Sequence, residues 1–161
     1  MENERYGDTQ SIKLLRQLTH IKNFSVPGAR KLFVDVLQAR LSDIVVADPV
    51  ELVRSATDVQ IAGLQKGMYT FISMMAGAGA DGFWPPLGLS SVQCVITRGD
   101  MQLRITGKIT AMLTVKIYAL LGRVGTRLRR CECGELFVKV KRQKTCSTSC
   151  QKRFYMRDYP R

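Results

Sequence analysis

The chain has 161 residues, of which 45% are hydrophobic and 24% are charged, so it can bury a core and is not disordered as a whole. No uninterrupted apolar run approaches the roughly 18 residues of a membrane span, and the first five residues are polar, which argues against an apolar signal region. We therefore expect a cytoplasmic protein with no membrane partner, built as one domain or as one domain with a small module.

The positive charge of the chain is concentrated at its C-terminal end. In total, 25 Lys and Arg stand against 13 Asp and Glu, a net charge of +12. Residues 1–119 contain 13 basic and 10 acidic residues, whereas residues 120–161 contain 12 basic and 3 acidic residues. A solvated basic tail and a surface for a polyanion both explain this asymmetry, and nucleic acid is the most frequent polyanionic partner.

The first 41 residues predict two helices. Residues 1–10 are polar, and we expect them to be frayed. Apolar residues then recur at helical spacing over 12–21. Pro27 suits the first turn of a second helix, whose buried face we expect over residues 32–41. The single histidine, His20, lies at the end of the first helical stretch, and we expect it on the surface.

A third helical region begins at Asp48 and Pro49. Asp48 can cap a helix, Pro49 suits its first position, and Glu51 can complete a capping box. Apolar residues continue at helical spacing as far as Met75. We predict helical structure over this whole stretch, with a break near Thr57.

Residues 76–88 are typical of a loop, although they contain a dinucleotide-binding pattern. The pattern Gly-x-Gly-x-x-Gly begins at Gly77. It should follow a strand and open a helix. Here it follows a helical stretch and runs into Trp84 and two prolines, which no helix interior accepts. We therefore do not expect nucleotide binding at this loop.

A β-hairpin and a long helix follow the loop. Apolar and polar residues alternate over 92–97 and again over 101–106, on either side of an Arg-Gly-Asp tight turn. Cys94 alternates with apolar neighbours, so we expect a small buried side chain rather than a ligand or a nucleophile. From Ile109 onward, an apolar face predicts a helix that runs into the C-terminal segment without a flexible linker, so we expect that segment to be docked.

Four cysteines in the C-terminal segment have the spacing of a metal site. Cys131 and Cys133 form one close pair, Cys146 and Cys150 form a second, and twelve residues separate the pairs. In a chain without a signal sequence, such a cluster is more often a metal site than a disulfide framework. Two close pairs of thiolates suit one structural Zn²⁺ with tetrahedral geometry. The alternatives are four unrelated reduced cysteines or a redox-active pair.

The residues between and after the cysteines predict the rest of a small module. Gly134 suits a turn that needs unusual backbone dihedrals. Residues 136–140 predict one strand of a hairpin, with Lys144 and Thr145 on the returning strand. A final helix is expected to begin near Ser147. This order describes a treble-clef finger, in which zinc supplies the folding energy that a module of about thirty residues lacks.

Together these elements predict a mainly α protein with one β-hairpin, of the α+β class. Residues 1–129 would form a helical domain with the β-hairpin near 91–106, and residues 130–161 would form the treble-clef-like, four-cysteine zinc finger. Four thiolates fill the shell of a zinc ion, so we expect no hydrolytic chemistry there. With one isolated histidine, no Ser-His-Asp set is possible, and we find no convincing carboxylate pair. We therefore expect a protein that is not an enzyme.

The last 35 residues carry a further pattern. Arginines precede the first cysteine pair, Phe137 follows it, a basic insert comes next, and Cys-Ser-Thr-Ser-Cys occupies 146–150 before Arg153. This arrangement resembles the CGNR-type zinc finger of bacterial transcription regulators, although the name motif reads Cys-Gln-Lys-Arg here. Residues 89–130 are similar, more weakly, to the end of the helical domain that precedes this finger. The resemblance implies a treble-clef finger that contacts DNA.

Ten basic residues around the cysteines are candidates for contacts with phosphates. If they converge, they form a strip suited to a nucleic-acid backbone. They are Arg127, Arg129, Arg130, Lys139, Lys141, Arg142, Lys144, Lys152, Arg153 and Arg157. Tyr155 or Tyr159 could stack on a base, but we expect them to pack on the main domain.

Two functions follow from these observations. The first is a nucleic-acid-binding protein, with DNA favoured over RNA, that regulates transcription. Its helical domain would bind a small-molecule effector or a partner, or form a homodimer. The second is a protein-interaction module in which the zinc finger is a structural clip and the basic face meets an acidic protein.

Overall fold

The structure is a computed structural model that describes the backbone of residues 2–41, 44–78, 89–97, 100–140 and 142–158. Side chains are described over the same ranges except 2–8, 77–78, 89–97, 100–103 and 158. The predicted loop over 76–88 is wrong for its first three residues, which are helical, because Ala76 and Ala78 favour continuation of the preceding helix. Residues 79–88 lie outside the described residues, as do the hairpin turn at 98–99, the side chain of Cys94, Lys141 and Tyr159.

Helices dominate the described residues, and small strands complete the fold, as predicted. The helices are α1 (Glu2–Thr19), α2 (Val26–Gln38), α3 (Pro49–Arg54), α4 (Asp58–Ala78), α5 (Ile109–Val124) and α6 (Thr148–Asp158). The strands are β1 (Ile44–Val46), β2 (Leu89–Thr97), β3 (Asp100–Gly107), β4 (Leu128–Arg130) and β5 (Leu136–Val138).

Local sequence signals account for several helix boundaries. Pro27 lies in the first turn of α2, where the hydroxyl of Ser25 accepts the backbone N–H of Gly28 at 3.3 Å. The predicted break separates α3 from α4. There Thr57 and Gln60 form a capping box, in which each backbone N–H donates to the other side chain at 2.8 and 3.2 Å.

Two predictions about helix starts are wrong. We expected residues 1–10 to be frayed, but residues 2–10 belong to α1, which begins at Glu2. Adding residues to the end of a helix costs little free energy once a buried stretch further along the chain has nucleated the helix. Asp48 makes no capping hydrogen bond to α3, since its backbone turns into the left-handed region with φ of 44°. Aspartate tolerates this turn from β1 into α3, and Glu51 pairs with Arg54 at 3.2 Å instead of completing a capping box.

The strands β2 and β3 form the predicted antiparallel hairpin, from Thr97 opposite Asp100 to Leu89 opposite Gly107. β1, which the sequence did not predict, adds a parallel strand on the other side of β3, so the sheet order is β1-β3-β2. With three residues, β1 is too short to show the alternation of apolar and polar side chains that predicts a strand. The position of β1 is fixed by its pairing with β3.

α5 is the central helix of the described core. It packs against α1, α2 and β3, and Leu113, Ile117 and Leu120 are fully buried. With the turn that follows it, α5 belongs to a 19-residue stretch, Ile109–Arg127, whose length and composition would suffice to cross a membrane. Half of that stretch is buried inside the protein. Such burial is typical of a core helix in a soluble protein.

α5 also buries a lysine that the apolar pattern did not predict. Lys116 is 2% exposed, and its ammonium group donates to the carbonyls of Ala39 at 2.9 Å and Ile44 at 2.7 Å. Burial lowers the pKa of Lys116 to about 8. The lysine therefore satisfies two carbonyls where the chain passes from α2 to β1.

The C-terminal segment shares the core of the helical part. Leu128 of β4 and Leu136 and Val138 of β5 are at most 4% exposed and belong to one hydrophobic cluster with α1, α4 and α5. β4 packs against α4, and β5 packs against α1. The segment is therefore docked on the helices, while the predicted domain boundary at 129/130 stays a prediction.

Candidate metal centre

The first cysteine pair lies in the turn between β4 and β5, which pair antiparallel. The backbone N–H of Cys131 donates to the carbonyl of Glu135, and that of Gly134 donates to the carbonyl of Cys131, both at 2.8 Å. Gly134 has φ of +88°, which agrees with the prediction of an unusual dihedral there. This tight turn holds Cys131 and Cys133 close together.

The predicted hairpin within residues 136–145 is wrong. β5 pairs with β4, upstream of the cysteines, and Lys144 and Thr145 belong to an irregular stretch. The physical reason is burial: Leu128 in β4 is apolar and reaches the core beside β5, whereas Lys144 is exposed. The hydroxyl of Thr145 instead donates to the carbonyl of Ser147 at 3.1 Å.

The second cysteine pair is positioned by α6. This helix begins at Thr148, close to the predicted start. The hydroxyl of Ser147 accepts the backbone N–H of Cys150 at 3.2 Å, as expected of an N-terminal cap. Cys146 therefore lies just before the helix and Cys150 in its first turn.

The four predicted ligands come together in one cluster. Their sulfur atoms all lie within 4.8 Å of one another. The Cys146 Sγ is 3.4 Å from the Cys133 Sγ and 3.5 Å from the Cys150 Sγ. Metal–sulfur bonds of about 2.3 Å at tetrahedral angles place sulfurs about 3.8 Å apart, within the range observed. The four cysteines, which are free thiols, can therefore hold a metal ion.

The electrostatics of the cluster differ from one cysteine to the next. Burial raises the pKa of the Cys131 thiol, but hydrogen bonds from the backbone N–H groups of Cys133 and Cys146 outweigh burial, so that the pKa falls to about 7. Burial and hydrogen bonds with the neighbouring thiols raise the pKa of Cys146 to about 12. Four sulfurs this close cannot all ionise unless a cation offsets much of their charge, and a bound metal ion would do so.

Three of the ten predicted phosphate-binding residues have partners within the protein. The Arg157 guanidinium donates to both carboxylate oxygens of Glu132 at 3.0 and 3.2 Å. Arg130 donates to the carbonyl and the hydroxyl of Ser73 at 2.8 and 2.6 Å. Arg129 donates to the carbonyl of the preceding residue at 2.8 Å. The Arg157 pair joins α6 to the turn of the first cysteine pair, and the Arg130 contacts join the segment to α4.

Six other basic residues of the set take no part in the ion pairs formed among the described residues. All are exposed except for one half-buried lysine at 139, and they are Arg127, Lys139, Arg142, Lys144, Lys152 and Arg153. Both glutamates of the segment are already paired, Glu132 with Arg157 and Glu135 with Lys22. The described part of the segment therefore carries exposed positive charge that its own glutamates do not balance.

Glu135 connects the cysteine segment with the helical part. Lys22 donates to the Glu135 Oε1 at 3.2 Å and to the hydroxyl of Tyr69 at 3.0 Å, and its ammonium lies 4.6 Å from the centre of the Tyr69 ring. The Tyr69 hydroxyl and then the Glu135 carboxylate raise the pKa of Lys22. His20, two residues before Lys22, is exposed as predicted.

α6 carries exposed apolar side chains. Tyr155 is 52% exposed and Met156 is 75% exposed, so the expectation that Tyr155 packs on the main domain is wrong. The neighbouring Phe154 takes the half-buried position and meets the Tyr155 ring edge-on at 6.1 Å between centroids. Phe154 lines a cleft of about 230 Å³ with Arg153, Arg157 and the turn of the first cysteine pair.

A larger groove, which the sequence did not predict, is lined by the end of α3, by α4 and by the start of α5. Its volume is about 660 Å³, and its lining includes Gly63, Gly67, Met68 and Lys108. No periodicity or motif marks these residues, because the groove is lined by segments that are distant in sequence.

Comparisons of the chain with protein-family models, with curated proteins and with solved structures gave no match. The chemistry of the site therefore follows from the cysteine cluster and from the charges around it.

Proposed function

We propose that the protein binds nucleic acid through the exposed basic residues around its cysteine cluster, and that it is a cytoplasmic, DNA-binding regulator of transcription rather than an enzyme. The observation that carries this proposal is the pairing of both Glu132 and Glu135 with specific cations. Exposed residues such as Arg153 are thus left for an external anion. Backbone phosphates are anions of the required density.

Zinc is the metal that we propose for the four cysteines. Thiolates are soft ligands that suit Zn²⁺, and four of them fill its tetrahedral shell, as in structural sites. In this proposal the ion joins the turn of Cys131 and Cys133 to the start of α6, and it offsets two of the four thiolate charges. The resemblance to the CGNR-type finger supports the same assignment and the same contact with DNA.

The helical part would then receive the regulatory input. The groove of about 660 Å³ beside Lys108 gives a small-molecule effector room. A homodimer formed through the helical part is the other arrangement that we propose for it.

The test is fluorescence anisotropy of the zinc-loaded protein on a labelled duplex and on a labelled single strand, each titrated across salt. We expect binding at low salt, and a slope of log K against log salt of about −0.9 for each duplex phosphate contacted. Lys152→Ala with Arg153→Ala should reduce the steepness of that slope by about 1.8 on a duplex, because two phosphate contacts are lost.

The matched control is Lys31→Ala with Lys66→Ala, which removes two exposed cations from the helical part. This control changes the net charge equally but should leave the slope nearly unaltered. If neither nucleic acid binds at low salt, the proposal is wrong. A specific protein complex that survives nuclease treatment would then establish the protein-interaction function.

A further inference from the structure

One face of α6 presents a ring, a thioether and an ammonium group together. Lys152, Tyr155 and Met156 are three and four residues apart, which places them on the same side of the helix. All three are exposed. Among the described large hydrophobic side chains that are exposed, Tyr155 is the one aromatic. We call these three residues the α6 face.

The neighbouring side of α6 supplies a second cation. Arg153 follows Lys152 directly and lines the cleft of about 230 Å³ next to the cysteine cluster. Neither residue takes part in an ion pair among the described residues, whereas Arg157, one turn further, is held by Glu132. Lys152 therefore shares a side of α6 with the exposed ring, and Arg153 adds a second cation on the adjoining side, towards the cysteine cluster. Neither cation has an acidic side chain as a partner in the described segment.

The exposed ring favours a strand with unpaired bases over a duplex. In a duplex the base faces are covered by their neighbours, so a protein reads base edges and phosphates. A tyrosine ring contributes binding energy when it stacks on the face of an unpaired base, and nearby cations hold the backbone. The apolar side chain of Met156 adds a surface for the methyl group that distinguishes thymine from uracil.

We infer, on the basis of the proposed function, that the α6 face binds single-stranded DNA. One base stacks on Tyr155, a thymine methyl contacts Met156, and phosphates bind Lys152 and Arg153. Stacking is tolerant of sequence, since every base has a π face. The stacking on Tyr155 thus accepts unpaired DNA of any sequence, and the contact with Met156 adds a preference for thymine.

The experiment compares three labelled probes of about 15 nucleotides, a length within the range of single-strand sites: oligo(dT), oligo(rU) and a mixed-sequence duplex. The zinc-loaded protein should bind oligo(dT) most tightly. Tyr155→Ala should weaken binding to oligo(dT) by about five- to 150-fold, the loss expected for one stacked base, without changing the salt slope. Tyr155→Phe, which keeps the ring, should bind within about twofold of the original protein.

Val59→Ala, on the exposed surface of α4, is the control and should leave all affinities unchanged. Zinc content measured on each variant establishes that the segment is folded. If Tyr155→Ala binds oligo(dT) as well as the original protein, or if the duplex binds more tightly, the inference is wrong while the proposed function stands. Tighter binding of oligo(rU) assigns the face to RNA and overturns the DNA assignment. Binding to none of the probes overturns both.

Discussion

Arg130 and Ser73 join the cysteine segment to α4. One guanidinium nitrogen of Arg130 donates to the carbonyl and to the hydroxyl of Ser73, at 2.8 and 2.6 Å. Ser73 lies in the last part of α4, and Arg130 directly precedes the first cysteine of the cluster. Arg130, which we expected to contact nucleic acid because of its charge, therefore stabilises the fold.

Replacing Arg130 with alanine should lower the free energy of unfolding by about 1 kcal/mol, because a charged donor loses two acceptors at a partly exposed site. Ser73→Ala should cost about half as much, since the carbonyl acceptor remains. Arg127→Ala, an exposed arginine outside the described ion pairs, should cost almost nothing. Urea unfolding of the three variants measures the difference, and equal effects for Arg127 and Arg130 would contradict this structural role.

Replacing Cys146 with serine should release the metal. Its sulfur is within 3.5 Å of those of Cys133 and Cys150, so its loss opens the centre of the cluster. We expect the bound equivalent of zinc to be lost and the residues after α5 to become sensitive to protease. A chelating dye and limited proteolysis provide the readouts. Cys94→Ser is the control, because Cys94 is not a predicted ligand, and retention of zinc by the Cys146 variant would refute the ligand assignment.

The same substitution should have opposite effects at two glycines. A Cβ added to Gly134 or to Gly63 meets no atom within 4 Å, so the two sites differ in their backbone conformation and not in the space around them. Gly134→Ala forces a side chain into φ of +88° and should cost about 1–2 kcal/mol. Gly63→Ala lies inside α4 and should stabilise the protein by about 0.5–1 kcal/mol. Thermal unfolding of the zinc-loaded variants distinguishes the two, and changes of the same sign would be evidence against the turn at Gly134.

Lys116 should make the stability depend on pH. Its pKa falls from 10.5 in the unfolded chain to about 8 in the folded protein, so the unfolded state binds more protons between these two values. The contribution of Lys116 to the free energy of unfolding should therefore rise as the pH increases from about 8 to about 10.5.

Lys116→Met should remove that rise, and near neutral pH it should cost about 1–3 kcal/mol, because the carbonyls of Ala39 and Ile44 lose their donor. Unfolding free energies of the two proteins across this pH range provide the measurement. Lys66→Met, at an exposed position of α4, controls for the general titration of lysines. Parallel curves for the original protein and the Lys116 variant would contradict the prediction.

Much of the fold could be predicted because its signals are local. Pro27 marks the start of α2 with residues next to it in the chain, and strict alternation predicted the pairing of β2 with β3. The cysteine spacing predicted the four members of the cluster in the same way. The prediction of the treble-clef hairpin was wrong because it paired β5 with the residues that follow it, Lys144 and Thr145. β5 pairs instead with β4, whose Leu128 is buried beside it.

By itself, the sequence determined the helical class, the four cysteines that form the cluster and the excess of positive charge. Periodicity, residue spacing and charge are properties of short stretches. Only the tertiary structure decided which cationic side chains have hydrogen-bond partners within the protein. Arg130 meets Ser73 and Lys116 meets Ala39 across long separations in the chain, while Tyr155 stays exposed because Phe154 takes the half-buried position. The physical reason is that a hydrogen-bond partner, or the burial of a ring, is set by packing between distant segments, which no local pattern encodes.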